Sequence, residues 1–188
     1  MSETRLYLPV ILGTSRKGRR SENVARFVHE QLAARAGIET ELIDIRELPL
    51  ALDDAGEQAK MPAFSAQMNR ADGVVLVVPE YNHGYPGLLK HALDTNLDEY
   101  NHKAAGICGV SAGSFGGTRV IESLLPVLRE LGLVAIGVDV NFGSAAHLFD
   151  EKGTLLDQKY IARVGRFLDE LIWMARVLRA GREGVAPV

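Results

Sequence analysis

Gly73-Val74-Val75-Leu76-Val77-Val78, running into Pro79-Glu80-Tyr81-Asn82, is the stretch that decides the fold. Its apolar residues do not alternate with polar ones, as they would on a strand wetted on one face. Unbroken hydrophobicity over so short a run describes a strand covered on both sides, the usual condition of a parallel sheet. Two similar runs precede it, at residues 6–12 and 39–45, and two follow, at 104–110 and 133–140.

The segments between the runs carry helical spacing. After Ser21, apolar residues recur as Val24, Phe27, Val28, Leu32 and Ala36. Residues 118–131 present Val120, Ile121, Leu124, Leu125 and Leu128 and stop at Gly132, with Pro126 expected to kink or break the helix. Residues 160–179 carry the longest stripe, Ile161, Val164, Leu168, Leu171, Ile172, Ala175 and Leu178. Strands alternating with helices predict one α/β doubly wound domain over residues 1–180, its parallel sheet covered by helices on both faces. The loop 46–60 and the tail 181–188 are expected to be mobile.

Composition narrows the function classes. The 188 residues are 47% hydrophobic and 24% charged, with a net charge of −3 and both signs interspersed, so no basic stripe invites nucleic acid. Cys108 is the single cysteine, which rules out an intrachain disulfide and a cysteine metal cluster. Inside an apolar run it reads as a small buried hydrophobe. The polar start at residues 1–4 does not resemble a signal peptide, and no stretch reaches the ~20 apolar residues of a membrane helix. A cytoplasmic location, with no membrane partner, is the expectation.

In a doubly wound sheet, ligands sit beyond the carboxyl ends of the strands, where the strand order reverses. Three loops at such ends have unusual composition. The first, Gly13-Thr14-Ser15-Arg16-Lys17-Gly18-Arg19-Arg20-Ser21-Glu22-Asn23, brings hydroxyls and cations to a helix start, with Ser21 expected as N-cap. Gly13 and Gly18 have the spacing of a triphosphate loop, but Arg19 and Arg20 stand where Lys and Ser or Thr are needed. A monophosphate held without metal suits what remains, through Ser15, Arg16, Ser21 and Asn23. A polar turn with solvated basic side chains stays open at this point.

The second loop, Pro79-Glu80-Tyr81-Asn82-His83-Gly84-Tyr85-Pro86-Gly87, offers an aromatic, an amide and a glycine that could receive a flat heteroaromatic ring. It enters a helix with Pro86 at its expected first position. His83 invites an acid–base reading, although a loop imidazole is more often a contact or surface residue. The third loop, Ser111-Ala112-Gly113-Ser114-Phe115-Gly116-Gly117, has glycines that let backbone approach a ligand closely.

Together the three loops resemble the NADPH-dependent FMN reductase family, a flavodoxin-like group that includes azoreductases, quinone reductases and chromate reductases. Its pattern of a serine/arginine phosphate loop, a P-E-Y-N…P-G-x-L-K-x-A-x-D segment and a glycine-rich loop spans roughly residues 6–140 here. The resemblance implies a five-stranded sheet in the order 2-1-3-4-5 and FMN as cofactor. It puts the phosphate on Ser15, Arg16, Ser21 and Asn23 and the isoalloxazine against Pro79, Glu80, Tyr81 and Asn82. The pyrimidine edge would meet Ser111, Ala112 and Gly113, with Gly116 nearby.

It further implies NADPH or NADH as donor, a small acceptor (quinone, azo compound, metal oxyanion or free flavin), and a homodimer or homotetramer. Leu88, Leu89, Ala92 and Leu93 are candidates for that interface, or simply cover the sheet. The chain departs from the family at Thr95, where many members carry tryptophan, and at Tyr85, where a smaller residue is expected. Both positions are expected near the acceptor.

No side chain is needed as nucleophile, so no catalytic residue is assigned, and no metal. A non-enzymatic electron carrier and a flavin-dependent redox regulator are the rival readings. The first is disfavoured because the chain lacks a strongly charged docking face. No G-x-G-x-x-G loop exists for a separate dinucleotide site, so donor and acceptor are expected to use one site in turn, giving ping-pong kinetics.

Overall fold

The computed structural model describes residues 5–51 and 59–185. Among the described residues, eight strands and five α-helices follow one another: β1 (Leu6–Tyr7), β2 (Val10–Leu12), α1 (Ser21–Ala33), β3 (Ile38–Glu39), β4 (Leu42–Asp44), α2 (Pro62–Arg70), β5 (Gly73–Pro79), α3 (Gly87–Asp94), β6 (Lys103–Val110), α4 (Thr118–Glu130), β7 (Leu133–Ala135), β8 (Val140–Phe142) and α5 (Lys159–Gly184). All the strand pairs are parallel. The main sheet runs β4-β2-β5-β6-β7, with β8 beside β6 farther along and β1 paired to β3 alone.

The expected count of five strands is therefore corrected. Each of the first, second and fifth apolar runs is broken in two. Pro9 interrupts the first, since it has no N–H to give the ladder; its carbonyl still accepts from Val75 N–H at 3.0 Å. Thr40 interrupts the second, its hydroxyl donating to the Leu8 carbonyl at 2.7 Å. Grouped by run, the order is second, first, third, fourth, fifth.

Both faces of the sheet are covered. Leu8, Val10, Leu12, Val75, Val77 and Cys108 pack under α1 and α5. Ile11, Val74, Leu76, Val78 and Ile107 pack under α2, α3 and α4. Alternate residues of one apolar strand thus enter two different cores, which is why the run shows no alternation. Cys108 is fully buried, and burial pushes its thiol well above the ordinary range.

Several boundaries differ from expectation. Helix α4 runs unbroken through Pro126. Helix α3 starts at Gly87, with Pro86 in extended conformation just before it. Leu89, Ala92 and Leu93 are buried in this chain's own second core and Leu88 packs against it, so the sheet-covering alternative holds for them. Helix α5 continues past residue 180 to Gly184. Arg182 fixes its end, donating to Asp72 at 2.9 Å and to the His102 carbonyl at 2.6 Å. Those partners are distant in sequence. Residues 52–58 and 186–188, in the loop and tail expected to be mobile, lie outside the described residues.

Lys103, at the start of β6, is buried and donates to the Met68 carbonyl and, at 2.7 Å, to that of Asn69. Burial, reinforced by Arg182 and only partly offset by Asp72 and Glu99, pushes its ammonium from 10.5 down to about 8. Above about pH 8 the folded state has lost this proton while the unfolded state still holds it, so Lys103 contributes increasing stability as pH rises towards 10.5. Urea unfolding across that window should show the wild type gaining on Lys103→Met. Identical pH dependence in the two proteins would contradict the buried-ammonium reading.

Candidate active site

The strand order reverses between β2 and β5, and the carboxyl ends of β2, β5 and β6 lie side by side. Leu12 is opposite Val77, and Pro79 opposite Val110. Glu80 N–H donates to the Val110 carbonyl at 2.8 Å, and Ser111 N–H to that of Phe142 at 3.1 Å. The three unusual loops therefore leave one edge together.

The first loop is built around an arginine that the sequence alone did not single out. Arg19 is buried and pairs with Asp44 at the end of β4, one of its two contacts there measuring 2.8 Å. It also bonds Glu22 at 3.3 Å and the Thr14 carbonyl. Asp44 stands opposite Leu12, so a carboxylate ending a neighbouring strand was the signal available. Arg46 holds the same loop from outside, donating to the carbonyls of Ser15 at 3.0 Å and Arg16 at 2.6 Å. Two cations are thus spent on the loop's own shape, leaving Ser15, Arg16, Lys17 and Arg20 exposed.

Ser21 is the first residue of α1 and makes no capping bond. Arg20 precedes the helix in helical conformation, which corrects the expected N-cap. Ser21 is only 2% exposed, and its hydroxyl has no partner among the described residues. A buried orphan hydroxyl costs stability unless something binds it. Its position at the positive end of a 13-residue helix suits an oxyanion. Asn23, two residues on, lines a cleft of about 510 Å³ between α1 and residues 151–155.

The second loop turns back at once. Tyr81 and Gly84 exchange both backbone hydrogen bonds, at 2.9 and 3.0 Å, around Asn82 (φ 50°) and His83 (φ 66°). Two consecutive left-handed residues make a type I′ turn, for which asparagine is well suited. The turn projects Asn82 and His83 into solvent. Tyr81 bridges to the first loop, its hydroxyl 2.9 Å from Thr14 Oγ1 and its ring 4.3 Å beneath the Arg16 guanidinium. Pro79 is buried, and Tyr85 packs against the core under α3. Thr95 is buried at the far end of α3, about 12 Å from the helix start. Its hydroxyl donates to the Ala92 carbonyl at 2.8 Å.

Glu80 joins the second loop to the third, accepting from Arg119 N–H at 3.3 Å and Arg119 Nη1 at 3.2 Å. Ala112 and Gly113 are exposed, while Ser111 is half-buried and donates to the Gly113 carbonyl at 2.9 Å. Gly116 (φ 62°) and Gly117 (φ 81°) are buried, and a Cβ on either would meet backbone within 2.7 Å. Gly116 is thus required by packing against Asn141. Among the described residues no His/Cys/Asp/Glu group could hold a metal ion, and no helix is long and apolar enough to cross a membrane.

Strand order 2-1-3-4-5 by run, with a polar, cation-bearing site at the switch point, defines the flavodoxin-like class of doubly wound proteins. Residues 7–147 match the family model described as NADPH-dependent FMN reductase, and the chain belongs to that family. It is 30% identical over 158 residues to a quinone reductase of Pseudomonas putida, across 79% of this chain and 84% of that protein. To an NADH-dependent flavin reductase subunit 2 of Lactobacillus johnsonii it is 34% identical over 149 residues, across 72% and 81% of the two chains. The fold matches a flavoenzyme NAD(P)H:(acceptor) oxidoreductase from Paracoccus denitrificans with a TM-score of 0.77 at 22% identity, covering 92% of this chain and 98% of that one.

Proposed function

We propose that this chain is an FMN-dependent NAD(P)H oxidoreductase that passes electrons to a small acceptor through one site used in turn by donor and acceptor. The observation that carries the reading is Ser21, a buried hydroxyl without a partner at the start of α1. It fits a phosphate oxygen, as do the exposed Ser15 and Arg16 and the half-buried Asn23. Riboflavin would leave Ser21 as it is.

Bound FMN supplies the ring that takes a hydride, and the protein supplies position and electrostatics. In this reading Pro79, Glu80, Tyr81 and Asn82 line one side of the ring, and Ser111, Ala112 and Gly113 its pyrimidine edge, with Gly116 fixing the loop. The Thr14–Tyr81 contact holds the phosphate and ring loops at a set separation. Assembly as a homodimer or homotetramer in the cytoplasm completes the proposal. The interface then lies away from the buried face of α3.

Ser21→Ala gives a test with opposite signs. FMN affinity should fall by about 1.5 kcal/mol, the low end for a hydrogen bond to a charged group, while the FMN-free protein should be no less stable. Arg16→Ala should weaken FMN similarly, and both should leave riboflavin affinity unchanged. Fluorescence titration with the two flavins checks this, and equal losses for both would refute the phosphate assignment. Turnover of NADPH with a quinone, giving parallel double-reciprocal lines, tests the enzyme and its single site. A bound flavin without turnover would favour the electron carrier.

A further inference from the structure

Phe115 is 66% exposed, although it sits in the glycine-rich loop of a chain whose other phenylalanines are mostly buried. Its ring lies 5.3 Å from the Arg119 guanidinium, and Arg119 in turn touches Glu80 at the end of β5. The pair is not electrically balanced towards solvent. The Arg119 side chain is 47% exposed and that of Glu80 10%, so the carboxylate lies behind and the cation in front. On the other side of the site Arg16 covers Tyr81 in the same manner, with Lys17 and Arg20 exposed beside it. A chain of net charge −3 therefore presents positive charge and two aromatic rings at this one edge.

We infer that Phe115 and Arg119 form the acceptor subsite, and that it selects flat aromatic acceptors bearing an anionic group, such as sulfonated quinones, over neutral ones of the same ring size. The inference rests on the FMN-dependent reading of the site. Phe115 gives a ring to stack against, and Arg119 gives a half-exposed guanidinium with donors to offer a sulfonate or carboxylate, while its backbone N–H stays on Glu80. Reduction of the quinone to the hydroquinone takes two electrons and two protons. NAD(P)H supplies the electron pair with one proton as a hydride equivalent, and solvent supplies the other proton.

The test compares naphthoquinone sulfonate with menadione, using FMN-loaded wild type, Arg119→Gln, Arg119→Lys and Phe115→Ala. Arg119→Gln should lower kcat/KM for the sulfonate about 5–10-fold more than for menadione, chiefly through KM, and Arg119→Lys should restore part of the difference. Phe115→Ala should lower both about 3–10-fold, since stacking is lost irrespective of charge. In the wild type, raising ionic strength should reduce kcat/KM for the sulfonate and leave menadione unaffected. Calorimetry with anthraquinone sulfonate and oxidised protein, without donor, should show the same Arg119 dependence in binding alone.

Equal effects of Arg119→Gln on both quinones, or salt-independent reduction of the sulfonate, would overturn the inference. A wild type that fails to bind FMN would instead overturn the functional reading beneath it, and flavin fluorescence separates the two failures.

Discussion

Arg19→Met should unfold at markedly lower urea concentration than the wild type, losing about 3 kcal/mol, the low end for removing one partner of a buried ion pair. The size follows from what the guanidinium touches. Arg19 is almost wholly buried and bonds Asp44, Glu22 and the Thr14 carbonyl. Methionine fills much of the volume but leaves Asp44 facing the loop without its counter-charge. FMN affinity should fall with it, because Ser15, Arg16 and Ser21 hang from the segment that Arg19 shapes.

The loss should also depend on pH. Burial pushes Asp44 up, but hydrogen bonds from Arg19 and the Arg46 N–H, with their charges, more than offset it and hold the carboxyl below 3.8. A depressed carboxyl contributes its stability above the unfolded value and loses it as pH falls through the folded one. The gap between wild type and variant should therefore be constant near neutrality and close below 3.8. A loss under about 1 kcal/mol at neutral pH would place Arg19 among ordinary surface ion pairs.

Gly117→Ala should be as damaging by a different route, costing about 3 kcal/mol from a left-handed backbone and a steric collision together. Its φ is 81°, and a Cβ would lie 2.6 Å from Val110 N and 2.8 Å from Gly109 C. Those atoms belong to the sheet and cannot yield, so the start of α4 has to move and carry Arg119 away from Glu80. Gly113→Ala is the contrast. No atom lies within 4 Å of its Cβ, so stability should change by less than about 0.5 kcal/mol. In the proposed site, however, Gly113 borders the flavin, and FMN binding should suffer. Thermal melts with and without FMN would separate the two glycines; similar melting losses for both would contradict this division of roles.

Much of the fold was legible because its determinants are local or periodic. An unbroken apolar run such as 73–78 already states that both faces are covered, and helical spacing after Ser21 already states which face of α1 is buried. The breaks at Pro9 and Thr40 were less visible, because a strand interrupted for one or two residues keeps its hydrophobic pattern while its hydrogen bonds change partners. The end of α5 was hidden for a different reason. Gly181 reads locally as a terminator, and what overrides it is Arg182 bonding Asp72 and the His102 carbonyl from other elements.

The same division runs through the site. By itself the sequence determined that the strands run parallel, since strands alternate with helices, and the family resemblance supplied the strand order that gathers the three loops at one edge. The sequence also determined the residue types each loop offers a ligand. Tertiary structure alone decided what each of those residues is free to do. Of the cations in and around the first loop, Arg19 is turned inward because Asp44 ends the neighbouring strand, and Arg46 holds the loop's carbonyls from outside. Ser21 caps nothing and keeps an unused hydroxyl. Glycines 116 and 117 answer to the backbone of β6 and β8 rather than to a ligand. Such assignments depend on atoms brought together from distant parts of the chain, and spacing along the sequence carries no record of them.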